Sequence, residues 1–129
     1  MPPKPPAPSD LELQVLAVLW DRGPSTVRDV IDALPDEKER AYTSVLSVMQ
    51  VMQKKGLLKL APERRGLAHI YTPAVTRRQA LGPMLRGLVR KVFHGNAASA
   101  VQHLLTEHRV SEEELAEIRR LLDQIEHKR

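Results

Sequence analysis

The chain has 129 residues, 42% of them hydrophobic and 28% charged, and a formal net charge of +4. These proportions suit a folded globular chain: too apolar for intrinsic disorder, and too often broken by charge to hold the roughly 18 apolar residues of a bilayer span. No cysteine is present, which excludes disulfides, thiolate nucleophiles and thiolate-bound zinc together.

The first residues, MPPKPPAPSD, lack the apolar core of a secretion signal, so a cytoplasmic address and no membrane partner are expected. Residues 1–8 hold five of the ten prolines and read as a disordered, polyproline-like arm whose Lys4 could touch a polyanion weakly. Ser9 and Glu12 then have the spacing of a capping box, which predicts a helix opening near Asp10. Leu11, Leu13, Val15, Leu16, Val18, Leu19 and Trp20 make it a mostly buried helix, with Trp20 as a core anchor, and Gly23-Pro24 stops it. Thr26 and Asp29 mark a second start, after which Val27, Val30, Ile31 and Leu34 line one face up to Pro35. Residues 36–40 are polar and read as a loop.

A third helix is predicted from Tyr42 to Lys55, closed by Gly56. Its 100° periodicity places Val45, Val48, Met49 and Met52 on one side and Thr43, Ser47, Gln50 and Lys54 on the other. Leu57 to Leu60 and His69 to Thr72 read as the two strands of a hairpin, with Pro62 to Gly66 as a charged turn presenting Arg64 and Arg65. Three short helices followed by a hairpin is the order of a winged helix-turn-helix domain, expected over residues 9–74.

Beyond Pro73 the pattern is purely helical. Thr76 caps a long helix in which Gly82-Pro83 should cause a kink or a delayed start. Asn96 caps a second helix, and Ser111 with Glu114 caps a third. Leu85, Leu88, Val92, Val101, Leu104 and Leu105, with Leu115, Ile118, Leu122 and Ile125 on the last helix, form narrow apolar stripes with no sheet to cover them. Burial against a second copy of the chain is the expected outcome, making 75–129 a helical dimerisation domain. The fold class is therefore mainly α.

Charge distribution adds a partner. Between Gln50 and Lys91 stand ten lysines and arginines against a single acid, Glu63, a bias that suits a polyanion; a solvated basic face is the alternative. Hydroxyl and amide groups reach base edges, so Thr43, Ser47 and Gln50 are candidate base readers. Tyr42, Ser44 and Leu46 stand beside them, Lys54 suits a phosphate, and Arg64 and Arg65 suit phosphate or a narrow minor groove. His103 and Glu107 share a helical spacing suited to a metal. No Gly-rich phosphate loop, GxSxG or HExxH motif is present, so no metal, cofactor or enzymatic activity is expected.

Several short motifs together resemble the penicillinase-repressor family of bacterial transcriptional regulators, the BlaI/MecI/CopY type. They are Leu11-Glu12 through Val18-Leu19-Trp20 with Gly23-Pro24, Thr26 through Val30, Ala41 through Val45, Lys54-Lys55-Gly56-Leu57 and Tyr71-Thr72-Pro73, so the likeness covers nearly all of the chain after Pro8. The resemblance implies a homodimeric repressor on palindromic, double-stranded operator DNA, with the third helix in the major groove and promoter access blocked. Two departures stand out. The copper-responsive branch uses C-terminal cysteines that this chain lacks. The penicillinase branch is inactivated by a sensor protease cutting an Asn-Phe bond, where this chain carries His103-Leu104. A second reading is a winged-helix interaction module whose C-terminal helices bind a sensor or polymerase subunit.

Overall fold

The computed structural model describes residues 7–35 and 40–129. The expected arm, apart from Ala7 and Pro8, and the expected loop, apart from Arg40, lie outside the described residues. The element order is α1 (Asp10–Arg22), α2 (Val27–Ala33), α3 (Tyr42–Lys54), β1 (Leu58–Arg65), β2 (Ala68–Pro73), α4 (Arg77–Val92), α5 (Ala97–Glu107) and α6 (Glu112–His127).

Local sequence explains most of these boundaries. The Ser9 hydroxyl accepts from the Glu12 amide while the Glu12 carboxylate accepts from the Ser9 amide, and Thr26 and Asp29 repeat the exchange at α2. Each pair satisfies amide groups that a helix start leaves exposed, at a gain of about 1 kcal/mol per cap. Gly56 closes α3 at φ +85°, a left-handed conformation that glycine adopts without a Cβ penalty.

Among the described residues, twelve form one apolar core: Val15, Leu16, Val18 and Leu19 of α1, Val27 and Val30 of α2, Val45, Met49 and Met52 of α3, then Leu57, Leu58 and Tyr71. Every one of the three helices and both strands contributes, which fixes α3 against the rest. Trp20 packs at the rim, its indole N–H donating to the Val75 carbonyl at 2.9 Å.

The hairpin is longer than the sequence pattern suggested. Leu58, Lys59 and Leu60 pair antiparallel with Pro73, Thr72 and Tyr71, the register slips, and pairing resumes with Arg64 opposite His69 and Arg65 opposite Ala68. Proline has no N–H to donate to a ladder, so the irregularity falls where Pro62 sits. Pro62 to Gly66 is therefore not the turn: the strand runs through Arg65, and Gly66-Leu67 reverses the chain. A third strand position also went unread. Ser25, between α1 and α2, exchanges both backbone hydrogen bonds with Tyr71 at 3.1 and 2.8 Å.

The described chain divides within α4 into two compact units, the first ending at Leu85 and the second beginning at Arg86. The first keeps the start of α4, because Arg77 pairs with Asp21 at 2.8 Å and lies over the Trp20 ring. Thr76 and Gln79 cap α4 reciprocally. Pro83 lies inside α4 and does not delay its start at Arg77. In the second unit, Asn96 caps α5 as its sequence implies, and at α6 the Ser111 hydroxyl accepts from the Glu114 amide, one half of the capping box that Ser111 and Glu114 suggest. No residue of α4, α5 or α6 is buried.

Candidate nucleic-acid interface

The candidate surface is the outward side of α3. Val45, Met49 and Met52 are sealed in the core, and a helix held on three successive turns cannot roll. Its other side is therefore fixed in direction. Thr43, Ser47, Gln50 and Lys54, spaced 4, 3 and 4 apart, are all exposed, with Tyr42 and Ser44 at the N-terminal end. Gln50, Gln53 and Lys54 line an open depression of about 430 Å³ at the other end. The row offers hydroxyl and amide groups that donate and accept hydrogen bonds, and a terminal ammonium, the chemistry of base edges followed by phosphate.

Leu46 departs from expectation. It is half-buried and packs against the core cluster, because the outward face of α3 is narrower than its polar sequence suggests. Gln53 and Val51 were not picked out from sequence, although both are exposed. Gln53 stands three residues from Gln50 on the same helix, a spacing that could have revealed it.

Cations around α3 divide into engaged and unengaged groups. The Lys55 ammonium meets both oxygens of the buried Glu12 carboxylate at 3.0 and 3.1 Å, so it braces α3 against α1 and does not face outward freely. Burial acts to raise the Glu12 carboxyl, but the Ser9 amide and the Lys55 ammonium outweigh it and hold the group below the usual carboxylate value. Lys54 and Arg64 make no ion pair among the described residues.

The first turn of α2 reaches both parts of the surface. Arg28 lies over the Tyr42 ring, 5.3 Å from its centre, at the start of α3. Its neighbour Asp29 accepts from Arg65 of β1 at 2.7 Å. The Thr26 amide and hydroxyl, with the Arg65 charge, hold the Asp29 carboxyl below its ordinary value. Neither Arg28 nor this use of Asp29 was legible, since both contacts join residues distant in sequence. The two wing arginines consequently differ: side chains alternate along a strand, so Arg64 and Arg65 point to opposite faces and do not share a tip. Leu67 occupies the tip and is 92% exposed.

Of the residues expected to form a seam in the C-terminal region, Leu85, Leu88, Val92, Val101, Leu104, Leu122 and Ile125 are exposed. Leu105, Leu115 and Ile118 are half-buried, and Leu121, not foreseen, is exposed as well. Among the described residues no group of three or more His, Cys, Asp or Glu side chains is placed to hold a metal. No helix among them is long and apolar enough to cross a membrane.

Comparison with known proteins gives consistent matches. The model of the family described as penicillinase repressor matches residues 8–124. The transcriptional regulator BlaI of Mycobacterium tuberculosis is 35% identical over 119 residues, covering 91% of this chain and 83% of that protein. The penicillinase repressor of Bacillus licheniformis is 26% identical over 120 residues, covering 93% of this chain and 91% of that one. The solution structure of the Bacillus licheniformis BlaI monomeric form in complex with the blaP half-operator aligns at 26% identity and a TM-score of 0.47, over 59% of this chain and 90% of that one.

Proposed function

The chain belongs to the penicillinase-repressor family, and from that premise we propose that it is a transcriptional repressor, binding operator DNA through α3 and blocking promoter access. Thr43, Ser47 and Gln50 read base edges, with Tyr42 and Ser44 beside them, while Lys54 and Arg64 contact phosphates. The α4–α6 region pairs two copies into a homodimer, and the operator is palindromic to match. It acts by occupancy rather than by chemistry, with no cofactor, in the cytoplasm.

One observation carries this reading: the exposed row from Thr43 to Lys54 lies on a helix whose opposite face is locked into the core. A rigid helix presenting polar groups is what major-groove readout requires, because misplacement of a donor forfeits the hydrogen bond. Titration of the upstream region of its own gene against random duplex tests the proposal. Preference by a factor of about 10³ or more is expected at physiological salt. Equal affinity for both duplexes overturns it. Gln50→Ala should lower that preference by about 1–3 kcal/mol. Arg64→Ala should weaken both duplexes alike and reduce the salt slope by about 0.9.

The exposed apolar side chains of the second unit also favour a second reading, in which these helices dock a different protein. Sedimentation of the full chain separates the two. A dimer at micromolar concentration assigns that surface to a second copy, and a monomer leaves it to a foreign partner.

A further inference from the structure

We infer that Asp29 tunes the sequence-independent part of DNA binding: by holding Arg65 it withholds one cation from the phosphates and so limits binding that ignores sequence. The inference rests on the DNA-binding reading and concerns its electrostatic part.

Asp29 is well suited to this task. Its Oδ2 accepts from the Thr26 amide at 3.1 Å, and its own amide donates to the Thr26 hydroxyl at 3.1 Å, so the carboxylate is already ordered as part of the α2 cap. An ion pair with a pre-ordered partner loses less side-chain entropy than one between two free chains. The Arg65 guanidinium meets the same oxygen at 2.7 Å, the short distance of a charge-assisted hydrogen bond. The guanidinium comes from β1, next to the reversal at Gly66-Leu67, and strand alternation aims it away from the face on which Arg64 lies. Among the described residues, one arginine of the pair thus makes no ion pair and the other is neutralised by the protein itself.

The consequence concerns counterions. Each phosphate neutralised by a protein cation contributes about 0.9 to the dependence of log affinity on log salt, irrespective of sequence. A cation paired with Asp29 releases no counterion, so it adds little to binding at random sites. Removing the carboxylate charge should return Arg65 to the phosphates and strengthen random and operator binding together.

Salt titrations of random duplex with the full chain test this, using Asp29→Asn, Arg65→Ala and the double variant. Asparagine keeps an oxygen for the Thr26 amide, and circular dichroism checks that the helices persist. Asp29→Asn should steepen the slope by about 0.9 and tighten random binding by up to about fivefold at low salt. Arg65→Ala alone should leave the slope unchanged, and adding it to Asp29→Asn should restore the original value. A slope that is shallower by about 0.9 in Arg65→Ala would show Arg65 already on a phosphate and overturn the inference. So would an unchanged slope in a folded Asp29→Asn. If that variant does not fold, Arg65→Ala decides alone. Wild type that binds random duplex but prefers no promoter sequence removes the repressor reading and leaves the slope comparison valid, whereas wild type that binds no DNA ends both.

Discussion

The two units of this chain solve the problem of stability differently. Up to Leu85, three helices and a hairpin enclose a core whose central side chains, such as Leu16 and Met49, are shut off from water. From Arg86 onward the helices are just as regular and α5 and α6 carry their own N-caps, yet not one residue is buried. Regular helices therefore do not imply a self-sufficient unit. Helix formation needs only local hydrogen bonds and caps, whereas a core needs faces that meet, and short isolated helices are marginal in water. The first unit supplies its own covering surface, and the second does not.

Four experiments would break or sharpen that contrast. Leu16→Ala removes a fully buried side chain and should cost the first unit about 2–5 kcal/mol in denaturant unfolding, without altering the association state. Leu122→Asp introduces a charge into the exposed stripe of α6; we expect dissociation of the proposed dimer, with self-affinity lowered by at least about 2 kcal/mol in sedimentation. A monomeric wild type would remove the expected role of this stripe, and the contrast between units would then rest on burial alone.

A smaller effect is expected at Glu12→Gln, at about 1–3 kcal/mol, since it leaves Lys55 without its carboxylate partner. The Glu12 carboxyl is lowered in the folded chain, so its contribution is fully present above the unfolded value near 4.5 and is lost as pH falls through the folded value. Acid titration of stability should therefore flatten in Glu12→Gln below that point. The smallest effect belongs to Ser111→Ala, which removes the acceptor for the Glu114 amide at the start of α6. About 1 kcal/mol should be lost, read as reduced helicity together with weaker self-association. An equal loss from the first unit would contradict its independence.

Much of this organisation was legible in the chain itself. Ser9 with Glu12 and Thr26 with Asp29 announce two helix starts, and the spacing of Val45, Met49 and Met52 orients α3 before any tertiary contact is known. The hairpin was legible as a hairpin but not in its extent. Pro62 resembles a turn residue, and only the resumption of pairing at Arg64 and His69 shows that the strand absorbs it as an irregularity. Leu46 misled for a related reason, since periodicity sorts residues into sides but cannot say how wide the covered side is.

What the sequence determined by itself is everything that depends on neighbours within about four residues: caps, helix faces, the glycine closure of α3 and the polar row from Thr43 to Lys54. What the tertiary structure alone decided is which charges are spoken for. Lys55 and Lys54 are adjacent, as are Arg64 and Arg65, yet one of each pair finds a carboxylate across the fold, at Glu12 or Asp29, and among the described residues the other does not. An ion pair acts through space over a few ångströms, and separations of 43 and 36 residues along the chain leave no local pattern to disclose it.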